Sequence, residues 1–580
     1  MSPRRTLIAL PACALLLAGC SGTSGKASAS HDAINYALPA NFTPNWILPV
    51  GTAAHLNTNN ISIANTLWEP LVAYDGSTGR IGWNKAGSVA TAADFAPDGK
   101  SVRVTLGDRH WSDGKPITTA DVKFWYDLIK ANKDQWAGYN PGKAPDNWTS
   151  FKADDDRHFT LTFDRAYNPQ WMLANELSQI TPLPQHTWDK GGDPKAVWKS
   201  LNDAAKNIAG YEKDPLWKTI SGPYAVKSFS TAGKVVLAAN TKYDGGEKPA
   251  IPTVNLLPFT TADAEKNALR SGTVDYGYIE ATDLDQKDRF TAQGYTVKPW
   301  SGWAVTYMPY NFNNPAMGAV FKQLYARQAV QRSIDQAGLT KVIFNGTAVP
   351  GYGPIPQGQS SSFLSPEQKA DPYPFSTSAA RELLTSHGWT EQGGVMTCTS
   401  PGTGADQCGQ GVAAGTRFQM QVLSQSGSTV TDNMMSAIQS SLAKTGIKFS
   451  IRTAPVNSVL AQTPQCTSGQ PVCKWQLSFF GTAGSWYFNA FPTGDSLFQS
   501  KGGSNFGNYS NPDVDRLITA STTSTSDQAI QDYSAALAKD LPVIWLPEPV
   551  YQISVMKNGL GGFSQDSLAN FHPAQWKWTS

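Results

Sequence analysis

Residues 111–129 read WSDGKPITTADVKFWYDLI, a tight turn followed at once by the start of a helix. Asp113-Gly114 supplies the turn and Pro116 stiffens the chain that leaves it. Thr118 or Thr119 is the expected N-cap and Asp121 falls in the first turn. Val122, Trp125, Leu128 and Ile129 then recur at helical spacing. The segment is explained by architecture, as a turn delivering a capped amphipathic helix, and needs no reacting partner.

On either side of it the pattern is that of strands. LWEPLVAYD, SVRVTLGD and HFTLTFD alternate apolar and polar residues, with GSTGR, APDGK and ADDDR as turns between them. Farther on, SGPYAVKSFSTAGKVVLAAN reads as two strands and a turn. TADAEKNALRSGTVDYGYI reads as a helix with a Gly-led stop before a buried strand. After Trp303 the alternation becomes regular: strand AVTYMPYNF, helix LYARQAVQRSIDQAGLTKVIF, helix STSAARELLTSHGW, strand RFQMQVLS, helix TDNMMSAIQSSLAKTG, strand IKFSIRTA. Strands separated by helices of this length predict α/β units.

The chain has 580 residues, 40% of them hydrophobic, enough for more than one core. It opens MSPRRTLIALPACALLLAGC, a short basic region at Arg4 and Arg5 followed by an apolar run from Leu7 to Ala18. That run is too short for a membrane span and has the form of an export signal. Its end, LAGC, resembles a bacterial lipobox, which makes Cys20 the expected lipid-bearing residue after cleavage of 1–19. The Gly/Ser-rich stretch at 20–31 is then a flexible tether. No later segment holds eighteen uninterrupted apolar residues, so the expected attachment to the membrane is through the lipid alone.

Removing Arg4 and Arg5 from 47 basic residues leaves 45, against 45 acidic ones. A neutral chain of this kind is a poor nucleic-acid binder. Cys398 and Cys408, and Cys466 and Cys473, form two close pairs separated by Gly, Pro, Ser and Thr. Each pair is expected to close a surface loop as a disulfide, which suits an oxidising location. A zinc site from all four thiolates is the alternative, and no histidine lies near either pair.

Catalytic constellations do not assemble. The seven histidines, at 31, 55, 110, 158, 186, 387 and 572, show no HExxH and no i, i+4 pair. There is no G-x-S-x-G elbow and no Walker loop. Ser441 to Lys444 spells S-x-x-K and Lys444 to Gly446 spells K-T-G, but the two overlap by one lysine, and the pair reads as a helix end with its glycine stop. No cofactor or metal is expected, and no enzymatic activity.

The order of LWEPLVAYD, WSDGKPITTADVKF, ISGPYAVKSF with NTKYDGG, LRSGTVDY, RQAVQRSIDQAGLTKVIFNGTAVPGYGPIP, ARELLTSHGW and NYSNPDVDRLI resembles that of the extracellular solute-binding proteins of peptide-type ABC importers. This is family 5, the oligopeptide-, dipeptide- and nickel-binding type, and the resemblance runs over about residues 33–560. It implies a two-lobed α/β periplasmic-binding fold with an extra, mainly β subdomain inserted in lobe I and a hinge between lobes. Lobe I maps to 32–75, 220–300 and 545–580, the inserted subdomain to 76–219, and lobe II to 305–540.

The implied function is a monomeric, lipid-anchored receptor on the outer face of the cytoplasmic membrane. It would capture a peptide or other small solute and deliver it to an ABC permease. A non-peptide solute on the same fold, an envelope sensor and, last, an exported hydrolase are the alternatives.

Ligand is expected among aromatics in Gly-, Asn- and Pro-rich loops: Asn45 and Trp46 in FTPNWILP, Trp303 in SGWAVTY, and Trp486 and Tyr487 in GTAGSWYFNAFPTGD. Peptide receptors that the chain resembles carry, shortly after a tryptophan, an aspartate in an Asp-Tyr-Pro-Asp-Pro-like run that holds the α-ammonium group. Here no acidic residue follows Trp486 until Asp495. A buried ammonium without a carboxylate is costly, so Glu69, Asp495 or Glu548 would have to substitute.

Overall fold

The turn at Asp113-Gly114 closes as the residues demand. Gly114 takes φ +89°, its N–H donates to Trp111 O, and Trp111 N–H donates to Lys115 O, both at 2.8 Å. The helix Thr119–Asn132 follows. The Asp121 carboxylate accepts from Thr118 N–H at 2.8 Å and, with its other oxygen, from Gln185 N–H at 3.0 Å. One first-turn aspartate thus caps the helix and fastens it to the segment that begins Gln185–Trp188. Val122, Trp125, Leu128 and Ile129 are buried. They belong to a core shared with a four-stranded antiparallel sheet ordered Ala90–Phe95, Ser101–Leu106, His158–Phe163, Trp148–Ala153.

This computed structural model describes residues 31–39, 43–55, 57–77, 81–357, 362–480, 485–563 and 565–579. The export signal at 1–19, Cys20 and the tether up to residue 30 lie outside the described residues.

A seven-stranded mixed sheet is ordered Tyr295–Trp300, Gln552–Lys557, Tyr276–Ile279, Ala33–Ala37, Thr253–Leu257, Val235–Ala239, Tyr224–Phe229. Ala33–Ala37 pairs in parallel with Thr253–Leu257, residue for residue, and touches Tyr276 on its other side. The SGPY stretch reaches this sheet across the end of the helix Thr58–Leu67. Ser221 and Gly222 both donate to Leu67 O, at 3.1 and 2.8 Å. A Cβ on Gly222 would lie 2.3 Å from Thr66 O, so only glycine fits there.

A second body holds a parallel sheet ordered Lys448–Ala454, Gln419–Gln425, Leu477–Phe479 and an antiparallel one ordered Ser485–Tyr487, Ala304–Pro309, Val543–Leu546. The two bodies are joined where Tyr295–Trp300 runs on into Ala304–Pro309 and where Val543–Leu546 runs on into Gln552–Lys557. Cys398 is bonded to Cys408 and Cys466 to Cys473, with S–S distances of 2.09 and 2.11 Å. The second loop is held on the body by Asn311, whose amide donates to Cys473 O at 3.1 Å and Trp475 O at 2.9 Å.

Two elements differ from the expectation. LWEPLVAYD forms a strand only at Ala73–Asp75, because its first residues finish the helix Thr58–Leu67 and Pro70 has no N–H for a ladder. The long helix read over 324–344 is broken into Leu324–Gln331, Gln336–Gly338 and a wider turn at Leu339–Ile343. Asp335 starts a new helix there by accepting from Gly338 N–H at 2.8 Å.

Candidate ligand-binding site

The largest described cavity, about 750 Å³, is walled by residues from 46–87, 136–138, 174–181, 223, 243–247, 488–490 and 568–575. It is bordered by both bodies, since 488–490 directly follows the strand Ser485–Tyr487 of the second and the other segments lie outside that body.

Its first wall is organised by Asn60, the third residue of the helix Thr58–Leu67. Asn60 Oδ1 accepts from the N–H groups of Asn45 (2.8 Å) and Trp46 (3.1 Å), while its Nδ2 donates to Asn45 Oδ1 and His55 O, both at 2.9 Å. This clamp sets Trp46 flat against His55, ring centroids 3.9 Å apart and 11° from parallel. Trp46 Nε1 is satisfied by Leu48 O at 2.9 Å. Burial, reinforced by Lys206, holds the His55 imidazole below its usual value, so the ring is neutral at pH 7. Trp46 borders the cavity; Asn45 supports it from behind.

Glu69 is also on the wall, and both its oxygens are occupied. Arg109 donates to one and the Tyr243 hydroxyl to the other. Arg109 in turn donates to Asp244 at 3.2 Å and lies over the Tyr243 ring at 5.3 Å.

Trp303 is buried and does not border the cavity; it holds together two segments that do. It accepts from Phe488 N–H at 3.1 Å and donates from Nε1 to Asn489 O at 3.2 Å, while its own N–H donates to Ser567 O at 2.6 Å. Trp486 is half-buried in the strand Ser485–Tyr487, paired with Val305. The Tyr487 side chain lies outside the described ones. In this loop the cavity is met by Phe488, Asn489 and Ala490, none of them acidic.

Asp495 stands away from the cavity. It accepts from Thr493 Oγ1 at 2.7 Å and lies 3.9 Å from Lys143, whose ammonium sits 4.6 Å over the Trp171 ring. Glu176 completes this cluster, accepting from Ala144 N–H at 2.8 Å. Glu548 is likewise off the wall and accepts from Gln357 N–H at 2.6 Å. Among the described residues no three His, Cys, Asp or Glu side chains gather as a metal site.

Burial pushes Glu176 up to about 7, with Lys143 opposing the rise and Asp495 adding to it. A raised value means that the fold favours the protonated acid. The contribution is therefore complete below the ordinary carboxylate range and is lost as pH rises through about 7, a loss of up to roughly 3 kcal/mol. Glu176→Gln is expected to melt well above the parent at pH 8 and close to it at pH 5. Equal differences at both pH values would show that the carboxyl does not titrate there.

The family model of the bacterial extracellular solute-binding proteins, family 5 Middle, matches residues 86–505. The chain is a family 5 extracellular solute-binding protein. Its two-lobed α/β fold is shared with the oligopeptide-binding protein AppA of Bacillus subtilis, solved in complex with a nonapeptide. The TM-score is 0.75 at 17% identity, covering 94% of this chain and 99% of that one. NikZ of Campylobacter jejuni, solved with Ni(L-His), superimposes with a TM-score of 0.72 at 17% identity, covering 94% and 99%.

In sequence, this family 5 protein is 24% identical over 388 residues to an ABC transporter peptide-binding protein of Brucella ovis, covering 67% of this chain and 63% of the relative. It thus spans less than two thirds of that relative's length. AppA of B. subtilis is 23% identical over 476 residues, 80% of this chain and 78% of its own. These relatives are named as binding proteins, and among the described residues of this one no helix is long and apolar enough to cross a membrane.

Proposed function

We propose that this chain is the substrate-binding receptor of an ABC importer, taking a peptide, a peptide-like molecule or another small solute into the cavity and passing it to the membrane permease. The observation that carries this reading is the cavity itself, bordered by both bodies, which are connected by two strand crossings. Contacts made to a solute from both sides exist only when the bodies are together, so a solute shifts the population toward the closed form that a permease would recognise. In this reading lobe I is 32–75, 220–300 and 545–580, the inserted subdomain is 76–219 and lobe II is 305–540. The receptor works as a monomer tethered outside the membrane through a lipid on Cys20, with no catalytic step.

The test is mass spectrometry of the small molecules released when the purified protein is denatured, followed by rebinding of the same compounds. The expected result is a retained solute that rebinds and is recovered chemically unchanged. A protein that releases nothing and binds nothing would sink the receptor reading, and a solute recovered cleaved would replace it with a hydrolase.

A further inference from the structure

On the receptor reading, we infer that the closed form is held by a seam of direct contacts between 140–176 and 491–524, continuing the edge of the cavity, and that Glu176 within this seam controls how readily the two bodies part. The argument begins where the cavity ends. Ala174 and Ala490 both border it. Their chain neighbours meet: Asn175 Nδ2 donates to Phe491 O at 2.9 Å, and the Trp171 indole N–H donates to Thr493 Oγ1 at 3.2 Å. Asn168 extends the contact, donating from its backbone N–H to Thr522 O at 3.0 Å and from Nδ2 to Ser524 O at 2.8 Å. Gly503 N–H donates to Asn140 Oδ1 at 2.6 Å, and a Cβ on Gly503 would lie 3.0 Å from Tyr139 O, so the two backbones approach closely.

The two sides of the seam belong to different bodies. Residues 491–524 are fixed to the second one: Phe498 packs on Tyr307 and Trp545, and the Tyr533 hydroxyl donates to Pro492 O at 2.7 Å. Residues 140–176 contain the strands Trp148–Ala153 and His158–Phe163 of the four-stranded sheet. The crossing bonds are made by the protein alone, and parting the bodies about the two strand crossings would break them.

Glu176 is buried in this seam beside Asn175. It accepts from Ala144 N–H at 2.8 Å. The charged groups facing it are Lys143 from its own side and Asp495 from the other, themselves 3.9 Å apart. Tyr533, which faces Asp495 from the helix Gln528–Asp540, is kept protonated by burial. A protonated Glu176 leaves one ammonium and one carboxylate across the seam, whereas an ionised one sets two carboxylates against that ammonium. Burial pushes Glu176 up to about 7 while the seam is shut, and solvent returns it to the ordinary carboxylate range when the seam parts. The shut form therefore takes up a proton: its advantage is complete below the ordinary range and is lost as pH rises through about 7.

The test is native-state amide hydrogen exchange on the full protein, cleared of retained solute and corrected for intrinsic rates, read at Asn168 and Gly503. These amides are expected to exchange well ahead of those in Ser101–Leu106, because the seam opens without unfolding. Their protection is expected to fall about tenfold between pH 6 and pH 8 in the parent and to stay level in Glu176→Gln. Thr493→Val, which deletes the acceptor of the Trp171 indole and keeps the volume, should lower it several-fold at both pH values. Protection at Asn168 and Gly503 equal to that of the strand would mean that the seam parts only on unfolding, and would overturn the inference. So would a Glu176→Gln protein that keeps the pH dependence of the parent. Either outcome leaves the receptor reading intact, since that reading stands or falls on the retained solute.

Discussion

Arg109→Met, just behind the cavity wall at Glu69, is expected to be strongly damaging, and the damage should be largely reversed by a second change, Glu69→Gln. Arg109 is buried against Glu69 and reaches Asp244 at 3.2 Å. Its methionine variant leaves the Glu69 carboxylate buried with the Tyr243 hydroxyl as its remaining side-chain donor. Breaking a buried pair from one side costs about 3–5 kcal/mol, most of it from the uncompensated charge rather than from the lost attraction. A neutral glutamine at 69 removes that charge, so the double variant should recover more than half of the fall in melting midpoint.

The single variant should also gain stability as pH is lowered toward 5, because its isolated carboxyl prefers to be protonated in the fold, a dependence the double variant lacks. A double variant no more stable than the single one would mean that Arg109 acts through packing on Tyr243 instead.

That pair also shows where reading the sequence stops. Local chemistry was legible: Asp113-Gly114, the Asp121 cap and the helix 119–132 follow from neighbouring residues. The α/β units followed from the alternation of elements, and the two-lobed arrangement only from the family resemblance carried by the order of the segments. Trp46 and Glu69 were singled out by residue type and loop context, and both border the cavity.

What residue type could not reveal is that Glu69 is neutralised, since its partners lie 40 and 174 positions away. Trp303 drew attention as an exposed-looking loop aromatic, whereas its ring is buried and its hydrogen bonds hold other segments in place. Asn60 went unremarked for the same reason: it matters by what tertiary packing sets beside it. It carried one local hint, as part of an Asn-Asn pair at the start of a helix, where asparagine usually has a hydrogen-bonding reason to be.

Trp303 offers the second large effect, and two substitutions separate its two roles. Trp303→Ala removes a buried indole where the two bodies join and should cost about 3–5 kcal/mol through the cavity it leaves. That loss would obscure any change in ligand affinity. Trp303→Phe keeps much of the apolar volume and the backbone bonds to Phe488 and Ser567, and deletes the indole N–H that holds Asn489 O at 3.2 Å.

A net loss of about 1 kcal/mol in stability is expected for the phenylalanine variant, with a several-fold fall in affinity for whatever solute the protein retains. The fall should appear in the dissociation rate, because a loosened 488–490 loop weakens the bound form more than the encounter. Unchanged affinity and dissociation in Trp303→Phe would show that strand pairing with Ala304–Pro309 already fixes the loop, and would reduce Trp303 to a packing residue.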